Sequence, residues 1–196
     1  MVFNKSVFKK LIKSAYKSCG LLVANMDNRI LLSGGWWMLS VKDQYMPKWG
    51  LAAIIELTGE IPEQGQSFRA TSAGNQMELP ADFFLNLDKY ECYEARRDTD
   101  EYKDTHILND RPGHLDRYLR SREKIVMVND MIMELYDPNA AEEGEDIDLE
   151  GGYLDHDWMY WYTIHCSWAC GIIKHTKEEK IAFQEQLGKV LATCDK

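Results

Sequence analysis

Trp158-Met-Tyr-Trp-Tyr-Thr-Ile-His-Cys-Ser-Trp-Ala-Cys-Gly-Ile-Ile-Lys174 is the stretch whose reading decides the fold. It holds three of the six tryptophans and no charged residue before Lys174. A continuous apolar run fits a strand buried on both faces better than a surface strand, whose faces would alternate. Its density of Trp, Tyr, Thr and Ile favours strand over buried helix. The run is long for one strand, so a bend is expected near Cys166 to Ala169. The rest of the chain must pair with it or pack on it.

At 196 residues the chain can bury a core without disulfides or metals. It reads as one domain over 1–196, or as two subdomains, 1–97 and 114–196, joined by a polar segment at 98–113. A hydrophobic fraction of 45% and a charged fraction of 28% are ordinary for a globular protein. The five cysteines include no C-x-x-C, and His165-Cys166 with Cys170 matches no zinc spacing. They read as small core residues in a reducing compartment. No secretory leader pattern opens the chain, and the 158–174 run is too polar and too short for a membrane span. The expected location is the cytoplasm.

Residues 4–19 read as a helix, capped by Asn4 or Ser6 and ended by Gly20. Val7, Phe8, Leu11, Ile12, Ala15 and Tyr16 recur at three- and four-residue steps. The other face carries Lys5, Lys9, Lys10, Lys13 and Lys17. The first 26 residues carry +5, leaving −14 for the rest of a chain whose net charge is −9. Strands follow at Leu21–Met26 and Arg29–Ser33 around Asp27-Asn28, then at Trp36–Lys42, which reads as interior to a sheet. Pro47 opens a second helix that Gly59 and Pro62 end. Ser67–Thr71 and Gln76–Leu79 read as a hairpin. Residues 81–88 are ambiguous between helix and strand, Tyr90–Arg96 read as strand, and 97–113 as a polar loop. His114–Arg122 reads as a short helix with Leu115, Tyr118 and Leu119 inward. Lys124–Val128 and Met131–Tyr136 read as a hairpin around Asn129-Asp130. Pro138 to Gly152 is an acidic loop, and a last helix begins at Thr176 with a capping box to Glu179. A helix, hairpin, strand, helix pattern thus occurs at 1–59 and again at 114–194.

Three chemistries compete for the polar residues. Asp146-x-Asp148-x-Glu150-Gly151, with Asp157 twelfth, overlays the calcium-loop spacing, but Glu in fifth place and Asp in twelfth are poor matches. Asp155-His156-Asp157 could hold a divalent metal in an enzyme; a solvated acidic turn explains it as well. His165, inside the apolar run, reads as a core histidine. No nucleophile, base and orienting group occur together, so no catalytic residue and no cofactor are assigned. The basic residues are the third group. A lysine face usually does no more than solvate an amphipathic helix. On an acidic chain it also concentrates positive potential in one place, which suits a phosphate backbone. Arg117 and Arg120, with Arg111, Arg122 and Lys124, form a second basic region, partly offset by Asp110, Asp116 and Glu123.

The stretch FKKLIKSAYKSCGLLVANMDNRILLSGGWWMLSV, then helix 47–59, then SFRATSAGNQMEL, resembles the repeat unit of DNA sliding clamps. The resemblance covers residues 3–79, with an echo over 114–194. It rests on element order and on basic helices in an acidic chain. It implies sheets forming an outer shell and helices facing DNA, with Lys5, Lys9, Lys13 and Lys17 toward the nucleic acid. The chain departs from that family in length, in the acidic 139–152 stretch and in the break at Arg111-Pro112-Gly113.

The expected fold is α+β: antiparallel sheets made of hairpins, with helices packed on one face. The expected function is a non-catalytic binding protein whose partner is a nucleic-acid backbone, contacted by Lys5, Lys9, Lys13, Lys17, Arg117 and Arg120. A protein-interaction module using the acidic loop and the aromatic surface is the second expectation, and a metal-dependent enzyme at 146–157 the third. A homo-oligomer is compatible with either binding role.

Overall fold

The computed structural model describes residues 3–78, 101–111, 113–122, 124–140 and 149–174. Asn4 starts helix α1 (Lys5–Lys17): its side-chain oxygen accepts the backbone N–H groups of Ser6 and Val7, two of the donors a first turn leaves open. Strands β1 (Leu21–Met26) and β2 (Arg29–Ser33) are joined through Asp27 and Asn28, both at positive φ, as a tight hairpin requires. Strand β3 (Trp37–Lys42) follows. Pro47 caps α2 (Lys48–Thr58), and Gly59 ends it in the left-handed region at φ 83°. Strands β4 (Gln66–Thr71) and β5 (Gly74–Glu78) form the expected hairpin. Up to residue 78 the elements match the spacing.

The second half differs. The polar 97–113 segment contains strand β6 (Lys103–Arg111). His114–Arg122, read as a helix, holds strand β7 (His114–Arg120), paired with β6 on one edge and with β8 (Ile125–Asn129) on the other. Its leucines have helical spacing, but the buried set is Asp116, Tyr118 and Leu119, while Leu115 is 39% exposed. Two flanking strands that satisfy its backbone outweigh the local pattern. Asn129-Asp130 is not a hairpin turn: the Asn129 side chain accepts the Met131 N–H and starts a short helix, α3 (Asp130–Met133).

Strand β9 (Glu150–Asp155) takes the end of the stretch read as an acidic loop. The aromatic run makes two strands, β10 (Trp158–Tyr162) and β11 (Cys166–Gly171). The turn falls at Thr163–His165, ahead of the expected bend. The Thr163 hydroxyl accepts the N–H groups of His165 and Cys166, both at 3.2 Å. A hydroxyl thus closes a turn that has neither Gly nor Pro to announce it. The readings at 81–88, at Tyr90–Arg96 and from Thr176 onward lie outside the described residues.

Eight strands form one antiparallel sheet in the order β5-β4-β1-β2-β3-β11-β10-β9, and β6-β7-β8 form a second. β11 lies between β3 and β10, the interior position its composition predicts. Helices α1 and α2 pack on one face of the large sheet. Val7, Phe8, Leu11, Ile12 and Ala15 of α1 join Val23, Leu32, Trp37, Leu39, Trp168 and Ile54 in the main core. Phe8 meets Trp49 of α2 edge-on at 5.3 Å. Trp168 stacks between Trp161 at 6.5 Å and Tyr136 at 6.1 Å, with Phe3 edge-on at 6.2 Å. The opposite face is closed too: Met38, Tyr160, Ala169, Leu22, Ala24 and Leu31 are all buried, and the buried Arg29 donates to the Ser40 hydroxyl at 2.7 Å. The architecture is α+β with antiparallel sheets and helices on one face.

The small sheet is tied to the large one by backbone bonds. Ile173 N–H donates to Met127 at 2.7 Å, and Tyr102 N–H to Gly152 at 2.7 Å. Gly152 sits at φ 80°, where a Cβ would lie 2.1 Å from the Tyr102 oxygen.

Two substitutions test this packing. Trp168→Ala should cost about 3–5 kcal/mol in urea unfolding. Trp168→Phe should cost much less, because Nε1 has no hydrogen-bond partner among the described residues and its loss leaves nothing unpaired. Gly152→Ala should lose more stability than Gly59→Ala, since both incur about 1–2 kcal/mol of left-handed strain but no atom lies within 4 Å of a Cβ at Gly59.

Candidate nucleic-acid interface

The same periodicity that buries one face of α1 exposes Lys5, Lys9, Lys10, Lys13 and Lys17 on the other. Lys5, Lys9, Lys13 and Lys17 are each four residues apart, so they form a slanted stripe roughly 18 Å long. The first turn of α1 holds no acid. Among the described residues no carboxylate forms an ion pair with any of the five. Like charges at this spacing oppose the helix by roughly 0.2–0.5 kcal/mol per pair, so the stripe works against stability and is held by packing underneath. Helix α2 does not extend it: its exposed residues include Lys48, Ala52, Ile55 and Glu56, one charge of each sign.

The second basic region is organised differently. Arg117, on β7, holds Asp104 and Asp130, each at 2.5 Å. Burial works against its charge, but hydrogen bonds and charge from Asp130 and Asp104 more than offset this and raise its pKa above the usual guanidinium value. Arg111 donates to the wholly buried Asp116 at 2.5 Å. Arg120 is exposed at the end of β7. Arg111 and Arg117 therefore serve carboxylates of their own sheet and of α3 first. The sequence reading named Asp116 among the acids that offset this region but missed Asp104 and Asp130 as partners of Arg117; the signal was an acid alternating with arginine in a strand rather than in a helix.

The acidic segment assembles no metal site among the described residues. Asp146 and Asp148 lie outside them. Glu150 starts strand β9 and accepts the Tyr162 hydroxyl, so the calcium-loop reading loses its loop from the fifth position onward. Asp155 holds His156 Nδ1 at 2.8 Å, and Asp157 pairs with Lys174 at 2.6 Å; His156, Asp157 and Lys174 are exposed. His165 is buried and stacks on Tyr45 at 3.6 Å, as a core histidine. No helix among the described residues is long and apolar enough to cross a membrane.

The sequence matches no protein-family model and no curated protein. Among solved structures it is similar to the DNA polymerase III beta chain of Streptococcus pneumoniae TIGR4, with 10% identity, a TM-score of 0.34 and 90% of this chain covered. It is also similar to the DNA polymerase III subunit beta DnaN sliding clamp of Bartonella birtlesii (7% identity, TM-score 0.30, 90% covered). A third is the beta subunit from DNA polymerase of Streptococcus pyogenes (9% identity, TM-score 0.30, 89% covered). The chain spans 66%, 65% and 64% of the lengths of those three. A weak likeness to sliding clamps is all that these figures carry.

One ionisation is tied to the sheet. Burial, with a smaller contribution from Asp155, pushes the Tyr160 hydroxyl up to about 12. The unfolded chain releases this proton near pH 10, so the contribution to stability is whole below pH 10 and is lost as pH rises from 10 to about 12. Alkaline unfolding followed by circular dichroism should show this loss, and Tyr160→Phe should reduce it.

Proposed function

We propose that this protein is a non-catalytic binding protein that contacts a nucleic-acid backbone through Lys5, Lys9, Lys13 and Lys17. The observation that carries the reading is the exposed lysine stripe on α1, unopposed by described carboxylates, on a chain of net charge −9. An acidic protein repels polyanions over most of its surface, so one unopposed cationic stripe fixes where and how such a ligand can approach. Lysines on flexible stems act as point charges on phosphate and read no base sequence. Arg120 can add to the contact. Arg117 can do so only in competition with Asp104 and Asp130.

Fluorescence anisotropy with a labelled DNA duplex tests this. Four phosphates neutralised give a slope of log affinity against log salt of about −3 to −4. The double substitution Lys9→Glu with Lys13→Glu should abolish binding while leaving the melting temperature unchanged or higher. Absence of binding at low salt, or binding that the double substitution leaves intact, would reject the reading.

A further inference from the structure

Two features of opposite shape stand at the two ends of β11. The strand follows the Thr163–His165 turn and runs on into Ile172 and Ile173. At its first end Ile164 is 64% exposed, more than any other large apolar side chain among the described residues. The turn that carries it is fixed on three sides. The Thr163 hydroxyl accepts the N–H groups of His165 and Cys166, Lys42 Nζ donates to the Ile164 carbonyl at 2.8 Å, and the His165 ring stacks on Tyr45 at 3.6 Å. These contacts use the backbone of residue 164 and not its side chain. The turn therefore gives no reason for an isoleucine, and holding one in water forgoes the gain of burying it. Leu149, also exposed, precedes Glu150, the register partner of Tyr162, and so comes to the same end of the sheet.

At the other end of β11 is a pocket of about 270 Å³. Its apolar side is Trp36, Ile172 and Ile173, held by backbone bonds: Gly171 N–H donates to the Trp36 oxygen at 2.9 Å and Ile173 N–H to Met127 at 2.7 Å. Trp36 is 38% exposed. Arg111 and His114 line the polar side. Asp116, the one acid in the lining, is wholly buried and holds Arg111 Nε, so the pocket presents no exposed carboxylate. An apolar cavity of about 150 Å³ admits a benzene ring, so this one has room for a branched aliphatic side chain.

The two features cannot meet within one chain. A strand rises ~3.3 Å per residue, so the eight steps from Ile164 to Ile172 separate them by roughly 25 Å. We infer that Ile164 of one copy seats in this pocket of a second copy of the chain, against Trp36, Ile172 and Ile173, joining copies end to end. The surroundings match in sign. Asp43, two residues before Tyr45, and Glu150 are exposed on the side of Ile164, while His114 is exposed and Arg111 is one-third exposed at the pocket. Opposite charge at the rim of an apolar contact orients the partners. The contact is heterologous, since each copy gives its isoleucine to one neighbour and its pocket to another. One side chain in one pocket buries little area, so the association is weak and grows with concentration. None of these residues belongs to the lysine stripe.

Sedimentation equilibrium of the full chain without nucleic acid, over rising protein concentration, tests the inference. The average mass should climb past that of a dimer. Ile164→Asp and Trp36→Asp should each remain monomeric at concentrations where the unaltered chain associates. An equal mixture of the two variants should give a species of twice the monomer mass and nothing larger, because one keeps its pocket and the other its isoleucine. Circular dichroism confirms folding, and Ile164→Asp, at an exposed turn, keeps the test decisive even where Trp36→Asp does not fold. The Lys9→Glu, Lys13→Glu chain should associate as the unaltered one does, whether or not the lysine stripe binds nucleic acid. A chain that stays monomeric up to millimolar concentration, association that Ile164→Asp leaves unchanged, or a mixture of folded variants that stays monomeric would overturn the inference.

Discussion

The pairing of β11 with β3 is the constraint on which the rest of the structure depends. Cys166 opposite Val41, Trp168 opposite Leu39 and Cys170 opposite Trp37 join segments well over a hundred residues apart into one sheet. Neither half can satisfy its central strand alone, because β3 and β11 are each buried on both faces. Long-range pairing of this kind pays its loop-closure entropy before any contact forms. The aromatic cluster around Trp168 lies on this seam, where burial per residue is greatest. Burial also pushes the Cys170 thiol far up, so it acts there as a small apolar side chain.

From this seam the position of the basic stripe follows. With the sheet face fixed by Trp37, Leu39 and Trp168, α1 can bury only Val7, Phe8, Leu11, Ile12 and Ala15. Its helical period then turns Lys5, Lys9, Lys13 and Lys17 outward. Stability alone gives no reason for lysines there, since acids interspersed among them would strengthen the helix. In β6, β7 and α3 the reverse holds: Arg111 and Arg117 are matched by Asp116, Asp104 and Asp130. One basic region is left open and the other is closed on itself.

The first 78 residues were legible because each element carries its own punctuation: Asn4 as cap, Asp27-Asn28 as turn, Gly59 as helix end. The 158–174 run announced burial but not its turn, because Thr163 closes that turn by a side-chain hydroxyl that apolar neighbours conceal. His114–Arg120 was misread because Leu115, Tyr118 and Leu119 fit a helical period by coincidence, and only the neighbouring strands decide between the two. Asn129 was misread because the same residue type that favours hairpin turns also caps helices. Of the candidate interface, the exposure of the α1 lysines was readable from their helical spacing. The engagement of Arg117 by Asp104 and Asp130 was not, since it depends on register between strands that the sequence does not state.

Lysine reactivity mapped with and without a DNA duplex tests the central claim most directly. Acetylation of the full chain at low salt, read out by mass spectrometry, reports every lysine at once. The account predicts protection of Lys5, Lys9, Lys13 and Lys17, with exposed Lys103 and Lys124 labelled equally in both samples. Equal labelling of the α1 lysines with and without DNA, or protection confined to Lys103 and Lys124, would contradict it.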